Sequence, residues 1–203
     1  SRGILQNSIP KRTNIPIVLR MSSGNSILND DMSNEKLCVS VEDAIRLNVS
    51  AVAFSIYIGG AYEHQTIVEF SKLVNDAHRY GIPVLAVTAV GKDMNRDLRY
   101  LSLASRIAVE LGADIVKTYY CDGFNELIGA CPVPVVIAGG KKVPELDALK
   151  FAHNAVSDGA AGVDMGRNIF QSDSPENMIQ AVNSVVVQGT DPEEAYEHYK
   201  STL

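Results

Sequence analysis

Gly112-Ala113-Asp114-Ile115-Val116-Lys117-Thr118-Tyr119-Tyr120 places one lysine inside a short apolar run. The run follows a helical pattern and precedes a Gly-containing loop, which is the setting of a buried parallel strand. Both faces of such a strand are covered, so an ammonium group in it is costly unless it lies near the C-terminal end and reaches a polar site. Burial there favours the uncharged amine, the form that attacks a carbonyl to give a Schiff base. The alternative is a lysine whose stem covers apolar surface while its head stays in water.

Strand and helix patterns alternate on either side of this run. Asn14-Ile15-Pro16-Ile17-Val18-Leu19-Arg20 is a β-type segment ending in Ser22-Ser23-Gly24-Asn25-Ser26, which reads as a loop. Ser40 with Asp43 opens a short helix, and Ala51–Ile58 forms a second strand before Gly59-Gly60. A helix from about Glu63 to Tyr80 shows Ile67, Phe70, Val74 and Ala77 on one stripe, and Gly81 stops it. Ile82–Thr88 is a third strand, followed by a helix with Leu101, Ala104, Ile107, Ala108 and Leu111 on one face. After the lysine strand come a short helix at Phe124–Ala130 and a fifth strand, Pro134–Ala138. The next helix should bury Leu146, Leu149, Ala152 and Val156. Gly162-Val163-Asp164-Met165 is the last strand, and helices through Met178–Val186 and Glu193–Lys200 finish the chain. Six strands alternating with helices predict an α/β fold with a parallel sheet and right-handed crossovers.

The composition is that of an ordinary globular chain, with 203 residues, 46% hydrophobic and 21% charged. A net charge of -6 and the absence of any Lys/Arg block argue against nucleic acid and anionic membrane as partners. No stretch approaches the roughly 18 apolar residues that cross a bilayer, and Ser1-Arg2-Gly3-Ile4-Leu5 has no signal-peptide pattern. Cys38, Cys121 and Cys131 form neither an even disulfide framework nor a metal-ligand spacing. Together these features predict a cytoplasmic location. His64, His78, His153 and His198 fall in helices without metal spacing, so no metal is expected.

Two glycine turns after the last two strands, Gly139-Gly140 and Gly166-Arg167, share one logic. Glycine lets backbone N–H groups approach an anion closely, and a following helix presents its positive end. Arg167 adds a planar, permanently charged fork suited to phosphate. Each turn alone has a purely steric explanation, because strand-to-helix turns often need glycine. The pair, with a strand lysine one unit earlier, describes a site that holds a phosphorylated ketone by its tail and activates it as an iminium.

Ile115–Tyr120, Val136–Lys142 and Gly162–Gln171 resemble the class I aldolase family, which includes archaeal-type fructose-bisphosphate aldolases. Arg20–Leu28, Val52–Gln65 and Thr88–Tyr100 resemble more narrowly its bacterial thiolase branch, which acts at the end of autoinducer-2 breakdown. The resemblance implies a TIM (β/α)₈-type barrel over residues 1–203 as a single domain, lacking the first strand and most of the second. The missing part would include a first-strand Asp-His pair, leaving the general acid and base unassigned. It implies a Schiff base at Lys117 and phosphate contacts at Gly139, Gly140, Gly166 and Arg167. It also implies transfer of an acetyl group to coenzyme A as co-substrate, with dihydroxyacetone phosphate and acetyl-CoA as products, no further cofactor, and a homo-oligomer. The aldolase branch carries a tyrosine acid near the strand end that here reads Val87-Thr88-Ala89-Val90, where no tyrosine stands; this favours the thiolase. The alternatives are an aldolase acting on a sugar phosphate such as fructose-bisphosphate and a catalytically inactive phosphate-binding fragment.

Further candidates lie at strand ends. Ser26 and Asn25 are possible substrate contacts, and Asp93 with Lys92 could meet substrate or coenzyme A. Tyr57, and Tyr119 two residues from Lys117 and so on its face, are candidate proton donors to a developing alkoxide. Solvated loop charge or core packing is the competing reading for each.

Overall fold

The computed structural model describes residues 1–8, 14–26, 28–90 and 95–202. These gather into two compact units, Ser1–Val116 and Lys117–Leu203.

In the first unit a helix, α1 (Arg2–Asn7), precedes strand β1 (Val18–Arg20). The expected loop after β1 instead holds a two-residue strand, β2 (Ser22–Ser23), paired antiparallel with β3 (Lys36–Leu37). Its inward residue is polar: Ser22 is buried because its hydroxyl donates to Glu35 at 2.6 Å, so the apolar alternation that announces a strand is missing. Helix α2 (Val41–Arg46) starts where Ser40 accepts from the Asp43 N–H at 3.2 Å, the cap expected from the sequence.

Strand β4 (Ala51–Ile58) lies between β1 and β5 (Val84–Val90), parallel to both, with Val18 opposite Ala51 and Val52 opposite Val84. Covered on both faces, it is buried along its length except at half-buried Tyr57, and apart from Ser55 it reads as a run of mostly apolar residues rather than an alternation. Helix α3 (Glu63–His78) connects β4 to β5 and buries Phe70, Leu73, Val74 and Ala77. Helix α4 (Leu98–Glu110) buries Leu101, Ala104 and Ala108.

Gly112 then opens the decisive stretch with φ +97°, and a Cβ there would stand 2.9 Å from Val74 Cγ1. Backbone conformation and space both require glycine. Asp114 fastens the entry to the next strand: its N–H donates to the Val84 carbonyl at 3.0 Å and its carboxylate accepts from the Val84 N–H at 2.8 Å. The same carboxylate lies 2.8 Å from His78 Nε2. Strand β6 (Ile115–Thr118) begins here, and Lys117 and Thr118 belong to the second unit.

The second unit continues with α5 (Phe124–Ala130), β7 (Val135–Ala138), α6 (Glu145–Ser157) and β8 (Gly162–Asp164). Then come α7 (Arg167–Phe170), α8 (Pro175–Asn183), a π-helical turn (Ser184–Gln188) and α9 (Pro192–Ser201). Strands β7 and β8 are parallel, in register from Val136 opposite Gly162 to Ala138 opposite Asp164. The core of this unit joins Leu149 and Ala152 of α6 to Met178 and Val182 of α8 and Tyr199 of α9. On α6 the buried stripe is Ala148, Leu149, Ala152 and Ala155, with Leu146 and Val156 only half-buried. The stripe is turned from the expected one because small side chains permit close helix packing. Among the described residues no helix is long and apolar enough to cross a membrane.

Candidate active site

Alternation along β6 buries Val116 and Thr118 and turns Ile115 and Lys117 the other way. Lys117 Nζ lies 2.7 Å from Oδ2 of Asp164, the last residue of β8. The lysine side chain is 21% exposed and the aspartate 53%. The amine thus sits at a strand end as expected, but it faces a carboxylate instead of standing alone in an apolar wall. Asp164 has the same sequence signal as Lys117, a charge closing an apolar strand, and sequence reasoning gave it no role. Tyr119 lies just past the end of β6 and is half-buried.

The two glycine turns are stitched together by Asn168, a second residue without an expected role. Asn168 is buried; its Nδ2 donates to the Gly139 carbonyl at 2.7 Å and the Lys141 carbonyl at 3.3 Å, and its Oδ1 accepts from the Val143 N–H at 2.9 Å. One side chain after β8 therefore sets the path of the loop after β7. The Gly139 N–H donates to the Asp164 carbonyl at 3.2 Å, extending the β7–β8 ladder, so it is not turned toward an anion as the sequence suggested. A Cβ on Gly139 would lie 3.0 Å from Met165 Cα, which is the steric reason for that glycine. Gly140 has φ +67° with open space around the Cβ position, so its requirement is conformational.

The helix contribution also differs from expectation. Helix α6 begins at Glu145, five residues after Gly140, with Glu145 and Asp147 in its first turn, and α7 has only four residues. Lys142 donates to Glu145 at 2.5 Å and holds its carboxyl below the usual carboxylate range, against the opposing effect of burial. Of the features in these turns that could meet an anion, Arg167 is a stronger one than either helix end. Arg167 is exposed and makes no side-chain hydrogen bond or ion pair among the described residues.

In the first unit a different cluster forms. Glu35, almost fully buried, accepts from the Arg20 guanidinium and from the Tyr57 hydroxyl at 3.2 Å through one oxygen, and from Ser22 at 2.6 Å through the other. Arg20 also donates to Ser55 Oγ at 3.0 Å. Burial and then the Glu35 charge push the Tyr57 phenol up to about 12. Burial works against the charge of Arg20, but the hydrogen bond and charge of Glu35 outweigh it and raise its pKa. Tyr57 is therefore already committed to Glu35.

Ser26 is exposed and its hydroxyl accepts from the Leu28 N–H at 3.2 Å, while Asn25 donates to the Met32 and Asn34 carbonyls, so both shape their own loop. Asp93 and Lys92 lie outside the described residues. The structure thus gathers Lys117, Tyr119, Gly139, Gly140, Gly166 and Arg167 in one unit, with Asp164 and Asn168 added, and places Ser26 in the other.

Residues 3–172 match the DeoC/LacD family aldolase pattern, and the chain belongs to that family. It is 57% identical over 202 residues to the 3-hydroxy-5-phosphonooxypentane-2,4-dione thiolase of Photorhabdus laumondii subsp. laumondii, covering 99% of this chain and 69% of that relative. The identity to the thiolase of the same name from Klebsiella pneumoniae subsp. pneumoniae is 56% over 201 residues, 98% of this chain and 68% of the relative. In structure the chain is similar to an archaeal fructose-1,6-bisphosphate aldolase whose catalytic lysine is covalently bound to the carbinolamine intermediate of the substrate. The TM-score is 0.83 at 29% identity, over 91% of this chain and 76% of that one. This likeness bears out the α/β, (β/α)₈-type reading of the alternating strands and helices.

Proposed function

We propose that the chain acts as a thiolase on 3-hydroxy-5-phosphonooxypentane-2,4-dione, transferring its acetyl group to coenzyme A and releasing dihydroxyacetone phosphate and acetyl-CoA. The observation that carries this reading is the 57% identity to a thiolase of that name over 99% of the chain; the strand-end amine of Lys117, 2.7 Å from Asp164 at the end of β8, supports it.

In this reading Lys117 condenses with the ketone next to the phosphate-bearing carbon. The coenzyme A thiol, losing its proton, adds to the acetyl carbonyl. The carbon–carbon bond then breaks toward the iminium, whose nitrogen takes the electron pair as an enamine. Protonation of the enamine carbon and hydrolysis of the imine release dihydroxyacetone phosphate. Arg167, with the Gly140 and Gly166 turns, holds the phosphate. The binding of coenzyme A, a cytoplasmic location and a homo-oligomer belong to the same proposal.

The test has two parts. The protein is incubated with the diketone, with and without coenzyme A, and with fructose 1,6-bisphosphate; acetyl-CoA formed only in the first mixture is the expected result. Cleavage of fructose 1,6-bisphosphate without coenzyme A would give the place to the aldolase reading. Borohydride reduction with dihydroxyacetone phosphate, followed by peptide mass spectrometry over Gly112–Tyr120, should leave an adduct on Lys117. No adduct on folded protein would overturn both enzymatic readings.

A further inference from the structure

We infer that Asp164 is a catalytic residue, the proton carrier for Schiff-base formation at Lys117; the inference rests on the proposed Schiff-base function and extends it. Three observations support it. Asp164 Oδ2 is 2.7 Å from the nitrogen that reacts. It stands at a strand end whose backbone is fixed: its carbonyl accepts from the Gly139 N–H at 3.2 Å, and the preceding residues are in register with β7. Its side chain is 53% exposed, so the carboxylate is not locked into a buried network and can be reached by a ketone oxygen or a water.

The proton count closes without another acid or base. The Lys117 ammonium gives one proton to the Asp164 carboxylate, leaving a neutral amine and a carboxylic acid. The amine lone pair forms the N–C bond to the carbonyl carbon, the C=O π pair moves to oxygen, and one N–H proton passes to that oxygen, giving a neutral carbinolamine. The Asp164 acid protonates the carbinolamine hydroxyl, the C–O bond breaks as nitrogen forms the C=N bond, and water leaves. The iminium then faces a carboxylate again. The pair begins as ammonium and carboxylate and ends as iminium and carboxylate, so the carboxylate also stabilises the cation that draws electrons during carbon–carbon cleavage.

The charged side chains on the strands and strand-end loops flanking Asp164 are Lys117 on β6, Asp122 after it, Lys141 and Lys142 after β7, and Arg167 after β8. Lys142 is paired with Glu145. Among the described residues the ion-pair partner of Asp164 is Lys117.

The experiment follows the initial rate of borohydride trapping on Lys117 with dihydroxyacetone phosphate between pH 6 and 9. It compares the unaltered chain, Asp164→Asn and Asp164→Glu, each with its circular-dichroism melt recorded. Asp164→Asn should slow trapping about 100-fold at pH 7, the ordinary size of a general acid–base contribution. Its rate should then climb with pH more steeply than that of the unaltered chain, because solvent base must take up the proton that the carboxylate took. Asp164→Glu should restore part of the rate and the shallower profile. A merely structural aspartate would lower the rate by the same factor at every pH, and that parallel profile would overturn the assignment. So would an Asp164→Asn rate within twofold of the unaltered chain. Absence of any Lys117 adduct in the unaltered chain would instead bring down the Schiff-base reading and this one with it.

Discussion

Glu35 in the first unit is 5% exposed and accepts from Arg20, Tyr57 and Ser22, whereas Asp164 in the second is 53% exposed and is paired with Lys117. Both are carboxylates matched to one cation. A buried carboxylate with every oxygen engaged is part of the fold, because removing one partner strands the rest in a poorly solvated place. A half-exposed carboxylate at a strand end can lose or change its partner with water standing in, so its pairing contributes little stability and leaves its proton free to move. Burial of the charge, more than its chemical type, thus separates a structural ion pair from one suited to chemistry.

Lys117→Arg keeps a cation opposite Asp164 but cannot form a Schiff base. Turnover should fall by about 10³-fold or more, with the urea-denaturation midpoint barely moved. A loss of stability comparable to that of a Glu35 variant would put Lys117 in the structural class. Next in size, Glu35→Gln should cost about 3 kcal/mol in urea denaturation, against less than about 1 kcal/mol for Asp164→Asn; equal costs would erase the distinction.

The two arginines divide in the same way. Arg167→Gln should raise KM for the phosphorylated substrate by about 10-fold, the loss of one charge-assisted contact, without changing stability. Arg20→Gln should do the reverse, lowering the denaturation midpoint. A changed midpoint for Arg167→Gln, with KM intact, would remove Arg167 from the phosphate site.

The smallest effect concerns alkaline pH. The Tyr57 phenol is pushed up to about 12 by burial and by Glu35, above the ordinary value of about 10. Its protonated form is favoured in the folded state, so this contribution is fully present below pH about 10 and disappears as pH rises toward about 12. Tyr57→Phe should flatten stability across that window, as read from urea midpoints at stepped pH. Tyr120, raised to about 12 chiefly by its hydrogen bond to Asp158 and then by burial, titrates over the same window, and Tyr120→Phe is the control.

Much of this architecture was legible in the sequence because it is written in apolar periodicity. The β4 run, the Ser40 cap and the α4 face all emerge from residue type and spacing alone. Lys117 was legible because a charge interrupts an apolar strand. The β2–β3 hairpin was not, since its inward residue is a serine satisfied by a carboxylate thirteen residues away. Gly139 looked like an anion cradle, but its N–H belongs to the β7–β8 ladder, a pairing that no local pattern reveals. Asn168 carries no signal of its own, because its three partners lie on a loop 25 to 29 residues upstream.

The closeness of Gly139 to Met165 has a further consequence. A thioether side chain lies beneath the backbone of the turn, with Cγ 2.9 Å from where a Cβ would project. Peroxide converts methionine to a sulfoxide, which is polar and carries an extra oxygen. Met165 is only 8% exposed, so an added oxygen on its side chain has little open space, and the lesion should loosen the turn that Asn168 holds together. The resulting inactivation would be reversed by methionine sulfoxide reductase and would persist in dithiothreitol, a pattern of oxidant damage and repair that bypasses all three cysteines of the chain.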